Sequence, residues 1–226
     1  MKKLNKIYIK ILKDIWNKGI EVNPRDMKTK ELLSYSFILK NPKDRIITIE
    51  NFETNINYAE IEYQWYLSGK NTIDFHPLLK KIWNKYSDDG ITVNSAYGYQ
   101  IFGNDKKVNI NQWEWIKEEL RKDSNSRRCI ININLPHFKN HDSKDIPCTC
   151  YFQILVRNNK LHWITTMRSQ DIFLGFRNDI YCFTRLQEKL SEELNISLGN
   201  YYHFVGSIHL YENQFEKVKQ LIEENE

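Results

Sequence analysis

The stretch that decides the fold is Ile146–Ile180, IPCTCYFQILVRNNKLHWITTMRSQDIFLGFRNDI. Cys148 directly follows a proline, and the apolar run behind it reads as a strand. Asn158-Asn159 reads as a turn, because asparagine suits the backbone that a tight reversal needs, and a second strand follows. The stretch closes on the polar run MRSQDIFLGFRND, which leads into the amphipathic pattern of a helix. A thiol, an Arg-Ser pair (Arg168, Ser169) and two aspartates (Asp171, Asp179) this close together look like a site for a small anionic substrate.

Working outward, Tyr181–Leu194 reads as a long helix with Cys182 in its core face. Tyr201–Tyr211 reads as a strand that puts His209 and Tyr211, two positions apart, on one face. A charged last helix runs from Glu212 to the end. Upstream, the spacing predicts a strand over Cys129–Leu135, entered by the exposed pair Arg127 and Arg128, and helices over Asn111–Arg121 and Leu78–Tyr86. Tyr97 falls in a Ser-Ala-Tyr-Gly turn. Tyr58–Leu67 has helical spacing and ends at Ser68-Gly69. Glu60 and Glu62 lie about 200° apart on it, so at most one points into a site. Strands are expected at Leu32–Leu39 and Arg45–Ile49. The loop before them holds Arg25, which is either a solvated arginine or a phosphate ligand. Ile7, Ile11, Leu12 and Ile15 share one face of an N-terminal helix that stops at Gly19.

Composition narrows the class. A chain of 226 residues with 41% hydrophobic and 27% charged residues fits one soluble domain, 1–226, of the α+β class. A net charge of +4 is too mild to call for nucleic acid, and no apolar run is long enough for a membrane span. Four cysteines without a secretion signal point to a reducing cytoplasm rather than a disulfide framework. Cys148 and Cys150 form a C-x-C pair with no second pair near, short of a zinc site, and His137 and His141 sit in a polar loop. No metal is expected.

On residue chemistry alone Cys148 is the best nucleophile, since no Ser or Thr has an obvious base beside it. A thiol reacts as the thiolate, and Arg168 on the neighbouring strand is expected to pull its pKa down. A buried, inert cysteine is the competing reading.

The residues also carry a resemblance. Pro147-Cys148, a Gln-bearing strand and MRSQDIFLGFRND are similar to the nucleophile and phosphate motifs of the thymidylate synthase family. DSNSRR resembles its double-arginine loop, EIEYQWYLSG its glutamate helix, NSAYGYQIF its tyrosine turn and GSIHLYENQ its His-x-Tyr strand. The blocks keep the family's order from about Arg25 to Gln214. The resemblance implies a large mixed sheet flanked by helices and a sheet-to-sheet homodimer. It implies 5,10-methylenetetrahydrofolate as co-substrate and Cys148 as the nucleophile that adds to carbon 6 of a pyrimidine nucleotide. Glu62 would organise water and proton transfer. Arg25, Arg168 and Ser169 would hold the phosphate, joined by Arg127 and Arg128 reaching across to the partner subunit's site. His209 and Tyr211 would bind the sugar, Asp171 and Trp83 the folate, and Tyr97 would line the cavity.

Two departures shape the expected reaction. Asp179 stands where the family's asparagine reads the uracil edge, and FRND resembles the cytidylate hydroxymethylase branch. A carboxyl accepts from cytosine's amino group and, with a proton, completes the bond to the ring nitrogen. Thr149 likewise replaces the histidine that usually follows the nucleophile. The sequence also ends one helix after the His-x-Tyr strand, where the family has a tail over the folate, and if no other segment covers the site, water is expected to reach the exocyclic methylene. The expected activity is 5-hydroxymethylation of CMP or dCMP. The alternatives are an atypical thymidylate synthase acting on dUMP, and a non-catalytic nucleotide- or RNA-binding relative.

Overall fold

The computed structural model describes residues 2–103 and 110–225. Helix α1 (Lys3–Lys18) and the short β1 (Ile20–Val22) precede β2 (Thr29–Leu39). Four helices follow: α2 (Ile56–Ser68), α3 (Pro77–Trp83), α4 (Tyr97–Ile101) and α5 (Gln112–Lys122). Then come β3 (Ile130–Asn132), β4 (Thr149–Arg157) and β5 (Lys160–Asp171), and α6 (Gly175–Leu194) leads into β6 (Ser197–Tyr211) and α7 (Phe215–Glu223). The six strands form one sheet in the order β1-β2-β6-β5-β4-β3. Among the described residues only β5 and β6 pair in parallel.

Local chemistry explains this order. Asn158 and Asn159 both take left-handed φ values, 51° and 57°, so two residues suffice to fold β4 back on β5. Parallel β5 and β6 need a crossover, and α6 supplies it. Phe176, Ile180, Phe183, Leu186 and Leu190 make one buried stripe along α6, which packs on β5 and β6. Helix α2 lies against α6 and is closed at both ends. The Asn55 side chain accepts from Tyr58 N, and Gly69 ends the helix at φ 62°, a conformation without penalty for glycine. These contacts bring the site-bearing ends of α2, α6 and β5 together.

The opposite face of the sheet is uncovered along its middle. Ile38 is 45% exposed, Phe204 40% and Ile130 37%. The register places Ile38 opposite Tyr202, Phe204 opposite Ser36 and Thr166, and Ile130 opposite Gln153, so these residues share that face. Among the described residues no helix is long and apolar enough to cross a membrane.

Several expected elements shift. Arg45–Ile49 is not a strand. Ile47 exchanges its backbone bonds with Thr54, Thr48 N donates to Asn5, and Arg45 is buried against Glu188, so local partners replace a ladder. The strand expected over Cys129–Leu135 shortens to three residues, because Ile133 and Asn134 both donate to Cys150 O where the ladder ends. β2 and β6 begin earlier than expected, at Thr29 and Ser197. Helix α3 stops at Trp83 and continues as a 3-10 turn, another such turn precedes α7, and Tyr97 begins a short helix. Helix α6 starts at Gly175, six residues before the expected Tyr181, and so takes Asp179 out of the loop and onto the helix. The end of the last expected helix, Glu226, lies outside the described residues.

Candidate active site

Cys148 is half-buried, just ahead of β4, on a segment held from several sides. Its carbonyl accepts from Arg168 N at 2.8 Å. The Pro147 carbonyl accepts from Arg168 Nε at 3.1 Å and from Asn134 Nδ2 at 3.0 Å. Thr149 N donates to the Tyr97 hydroxyl at 3.3 Å. Upstream, the buried Asp145 carboxylate accepts from Ser95 N at 2.6 Å and from its hydroxyl at 2.5 Å. The thiol is thus placed by backbone bonds to three different parts of the chain.

Arg168 reaches the sulfur: Nη2 lies 3.6 Å from Cys148 Sγ and 2.7 Å from the Ile146 carbonyl. The expected fall in the thiol's pKa does not follow. Burial pushes the Cys148 thiol up and outweighs the opposing charges of Arg168 and Arg25, while Asp179 and Asp145 push it further up. Burial thus favours the protonated thiol, beside a guanidinium placed to offset a negative charge on the sulfur.

Two carboxyls face the same interior from α2 and α6. Glu62 is 6% exposed, and burial with the nearby Asp179 pushes its pKa up to about 8. Glu60 points the other way, accepting from Tyr181 OH at 2.7 Å and pairing with Arg185. Burial pushes Asp179 up to about 7, against a hydrogen bond from Gln170 Nε2 at 2.9 Å and with a smaller push from Asp171. The fully buried Tyr97 is held well above its ordinary value by burial, with Cys148 and Asp179 adding to the effect. Trp83 donates from Nε1 to the Tyr58 hydroxyl at 3.2 Å, on the flank of Glu62.

At the adjoining ends of β5 and β6, Asp171 pairs with His209 and Ser169 with Ser207. Ser169 Oγ lies 3.4 Å from His209 Nδ1, and the His209 ring stands edge-on to Tyr211 at 5.1 Å. Asp171 Oδ1 accepts from Phe173 N at 2.7 Å and Leu174 N at 3.1 Å, turning the chain into α6. The second oxygen, Oδ2, takes no part in that turn. Burial pushes Asp171 up and His209 down, each restrained by the other.

Of the other arginines named from the sequence, Arg127 and Arg128 stand apart from this cluster, whereas Arg25 is close enough for its charge to act on Cys148 and Tyr211. Arg25 is exposed, and it and Asp26 take consecutive left-handed φ values of 52° and 60°. Arg127 and Arg128 are exposed just before the edge strand β3 and make none of the contacts that tie Cys148 down. His137 and His141 are exposed on the polar loop. Among the described residues no group of three or more His, Cys, Asp or Glu side chains is placed to hold a metal ion.

Asn134, Asp145, Gln170 and His203 bear on the site without having been singled out in the sequence. His203 carried a usable signal: in Tyr201-x-His203-x-Val205 the strand period puts it on the buried face. Asn134 and Asp145 carried none, because their partners lie in distant loops.

Comparison with known proteins supplies the rest. The family model described as thymidylate synthase matches residues 6–226. The deoxyuridylate hydroxymethyltransferase of Bacillus phage SP01 is 28% identical over 219 residues, 92% of this chain but 57% of that protein's length. The deoxycytidylate 5-hydroxymethyltransferase of Enterobacteria phage T4 is 30% identical over 210 residues, covering 88% of this chain and 82% of its own. Thymidylate synthase A from Bacillus subtilis superposes with a TM-score of 0.81 at 24% identity, over 98% of this chain and 84% of its own.

Proposed function

The chain belongs to the thymidylate synthase family, and on that premise we propose that it adds a hydroxymethyl group to carbon 5 of a cytidine monophosphate. The observation that carries this reading is Asp179. A buried carboxyl with its pKa near neutrality, pushed up to about 7, can both accept from an exocyclic amino group and offer a proton to an unprotonated ring nitrogen. That pair of functions fits the cytosine edge. Uracil, with a carbonyl oxygen and a ring N–H, instead asks for an amide. The 30% identity to a deoxycytidylate 5-hydroxymethyltransferase supports the same choice.

In this reading the Cys148 thiol gives its proton to solvent and the sulfur bonds to carbon 6 as the C5–C6 double bond opens. The ring nitrogen takes the proton that Asp179 offers, and Arg168, 3.6 Å from the sulfur, offsets the thiolate charge before the bond forms. Glu62, protonated up to about pH 8, holds and returns a proton at the face of the base. Ser169 with His209 and Tyr211 lines the sugar and phosphate side, and Arg25 lies within electrostatic range of both Cys148 and Tyr211. Methylenetetrahydrofolate, when bound, supplies the one-carbon unit. Asp171, with Oδ2 outside the turn it caps, and Trp83, half-buried beside the Glu62 helix, would hold it. Tyr97 keeps the nucleophile's strand in place through Thr149 N. The uncovered apolar face bearing Ile38, Phe204 and Ile130 supports a sheet-to-sheet homodimer in which Arg127 and Arg128 reach the partner subunit's phosphate.

The deciding experiment incubates the protein with methylenetetrahydrofolate and CMP, dCMP or dUMP in parallel, and identifies the product by mass spectrometry. A 5-hydroxymethyl cytidylate is expected. Methylated or hydroxymethylated uridylate as the main product would overturn the base assignment. In the same assay Asp179→Asn should shift preference towards uridylate by about 10- to 100-fold, the size of one mismatched buried hydrogen bond.

A further inference from the structure

Behind Asp179 runs a line of buried polar side chains that the proposed chemistry does not use. Gln170 Nε2 donates to Asp179 Oδ2 at 2.9 Å, and Gln170 Oε1 lies 2.8 Å from His203 Nε2. His203 Nδ1 in turn lies 2.8 Å from the Tyr201 hydroxyl. Gln170 is 2% exposed, His203 1% and Tyr201 0%, so water does not serve as a substitute partner. With the Gln170 amide oriented this way, the inventory of donors and acceptors fixes the direction. An amide oxygen only accepts, so His203 Nε2 carries the hydrogen. The neutral ring's Nδ1 can then only accept, and it does so from Tyr201. Burial keeps the ring neutral, with its pKa down at about 3. Phe37 stacks on His203 at 4.9 Å with 27° between planes, and Phe176 meets it edge-on at 6.2 Å, which fixes the ring's orientation. Every bond in the line points towards Asp179.

We infer that Gln170, oriented by His203 and Tyr201, is a positioning residue that decides which hydrogen-bonding groups residue 179 presents to the base. This rests on the assignment of Asp179 to the base. A buried glutamine has two amide orientations. The tautomer of His203 selects between them: a hydrogen on Nε2 satisfies the orientation observed, with Oε1 2.8 Å from that nitrogen, and sets N–H against N–H in the other. In the satisfied orientation Gln170 turns its NH₂ to residue 179 and demands an acceptor there. Asp179 therefore spends no proton inward: when protonated, its O–H stays on the side of the ring nitrogen, and Oδ1 stays available to an amino group. A flipped Gln170 would take that proton inward on its own carbonyl and leave the base two acceptors and no donor. Discrimination between an amino edge and a carbonyl edge is thereby set two and three residues behind the one that makes the contact.

The test separates orientation from mere stability. His203→Phe fits a phenyl ring between Phe37 and Phe176 but removes the donor, and His203→Gln restores a side-chain N–H at the same depth. The readout is the ratio of kcat/KM for cytidylate over uridylate, relative to wild type, with melting temperature followed alongside. His203→Phe is expected to lower that ratio by about tenfold, the worth of one oriented buried hydrogen bond, while His203→Gln holds it within about threefold. Two folded variants with equal ratios would overturn the inference. Should His203→Phe fail to fold, nitrogen-resolved NMR of the wild-type protein decides the matter. A proton on His203 Nε2 with Nδ1 bare supports the inference, and the opposite tautomer overturns it. A wild type that prefers uridylate would sink the base assignment alone, because the variants are read against whatever preference the wild type has.

Discussion

At one end of the candidate site Glu62, Tyr97, Gln170 and His203 are buried, and Asp179 is tied to them through the amide of Gln170. At the other, Arg25, Arg127 and Arg128 stand exposed on loops and strand entrances. The buried end holds its groups in place before any ligand arrives, at the cost of keeping two carboxyls away from water, which raises their pKa values. Among the described residues no ion pair fixes the charges at the arginine end, which suits an anion that brings its own negative charge and releases solvent on binding. Under the proposed function, base selection would depend on preorganised donors and acceptors, and phosphate capture on charge placed at exposed side chains.

The largest expected effect tests whether the chemistry belongs to the buried end at all. Cys148→Ala should reduce turnover by at least about 10³-fold, as loss of a nucleophile does, while nucleotide binding persists because the arginines are untouched. Turnover by the alanine variant, followed as product release, would move the reacting centre elsewhere and break the contrast.

Next comes the energetic cost of the buried end. Glu62 has its folded pKa raised from 4.5 to about 8, so between those values the native state holds a proton that the unfolded chain has lost. Stability then falls as pH rises through that window. Glu62→Gln removes the titration, so the variant should gain on wild type from pH 5 to pH 8, by on the order of a few kcal/mol at the upper end. Urea melts at the two pH values measure it. Parallel pH dependence in both proteins would mean that Glu62 is not held out of water.

The two ends also differ in how legible they were. The hairpin around Asn158-Asn159, the long helix after the polar run and the α+β class were readable from periodicity and turn chemistry, and the ordered motif blocks named the family that the family model then matched. Asp179 was singled out, but not its place on a helix: nothing local marks Gly175 as a start, and the turn into α6 is held by Asp171 accepting from Phe173 and Leu174. The Cys148 shift runs opposite to the expectation because Arg168 is visible in sequence and burial is not. Gln170 lay inside the quoted stretch, yet its role depends on His203, thirty-three residues away. What the sequence hid were contacts between elements, since a hydrogen bond closed by tertiary packing leaves no local periodicity.

At the arginine end the effects are smaller and salt-dependent. Arg128→Ala, and Arg127→Ala beside it, should raise the nucleotide KM by about tenfold with kcat little changed, and the penalty should shrink as salt screens the charge. The same variants examine the shared site. At nucleotide concentrations well below KM, mixing Cys148→Ala subunits with Arg128→Ala subunits should recover activity beyond either alone, because one site of the hybrid then keeps both groups. No recovery in a verified hybrid would confine each arginine to its own chain.

The smallest effect concerns Arg25. It and Asp26 hold left-handed backbone angles, φ 52° and 60°, which cost a non-glycine residue roughly 1 kcal/mol each. Strain of this kind persists where the surroundings impose it, and an arginine so held faces Cys148 and Tyr211 closely enough for its charge to act on both. Arg25→Gly should therefore do two opposite things. It should stabilise the fold by about 0.5–1 kcal/mol, because glycine adopts this φ freely, and weaken nucleotide binding by a few-fold through loss of the guanidinium. Arg25→Lys keeps the strain and the charge but not the planar fork, and should fall between in affinity with no gain in stability. Melting temperature and nucleotide titration on the three proteins distinguish the cases. A glycine variant that is more stable and binds as tightly as wild type would make Arg25 a solvated loop residue, and would leave phosphate capture to Arg168, Arg127 and Arg128.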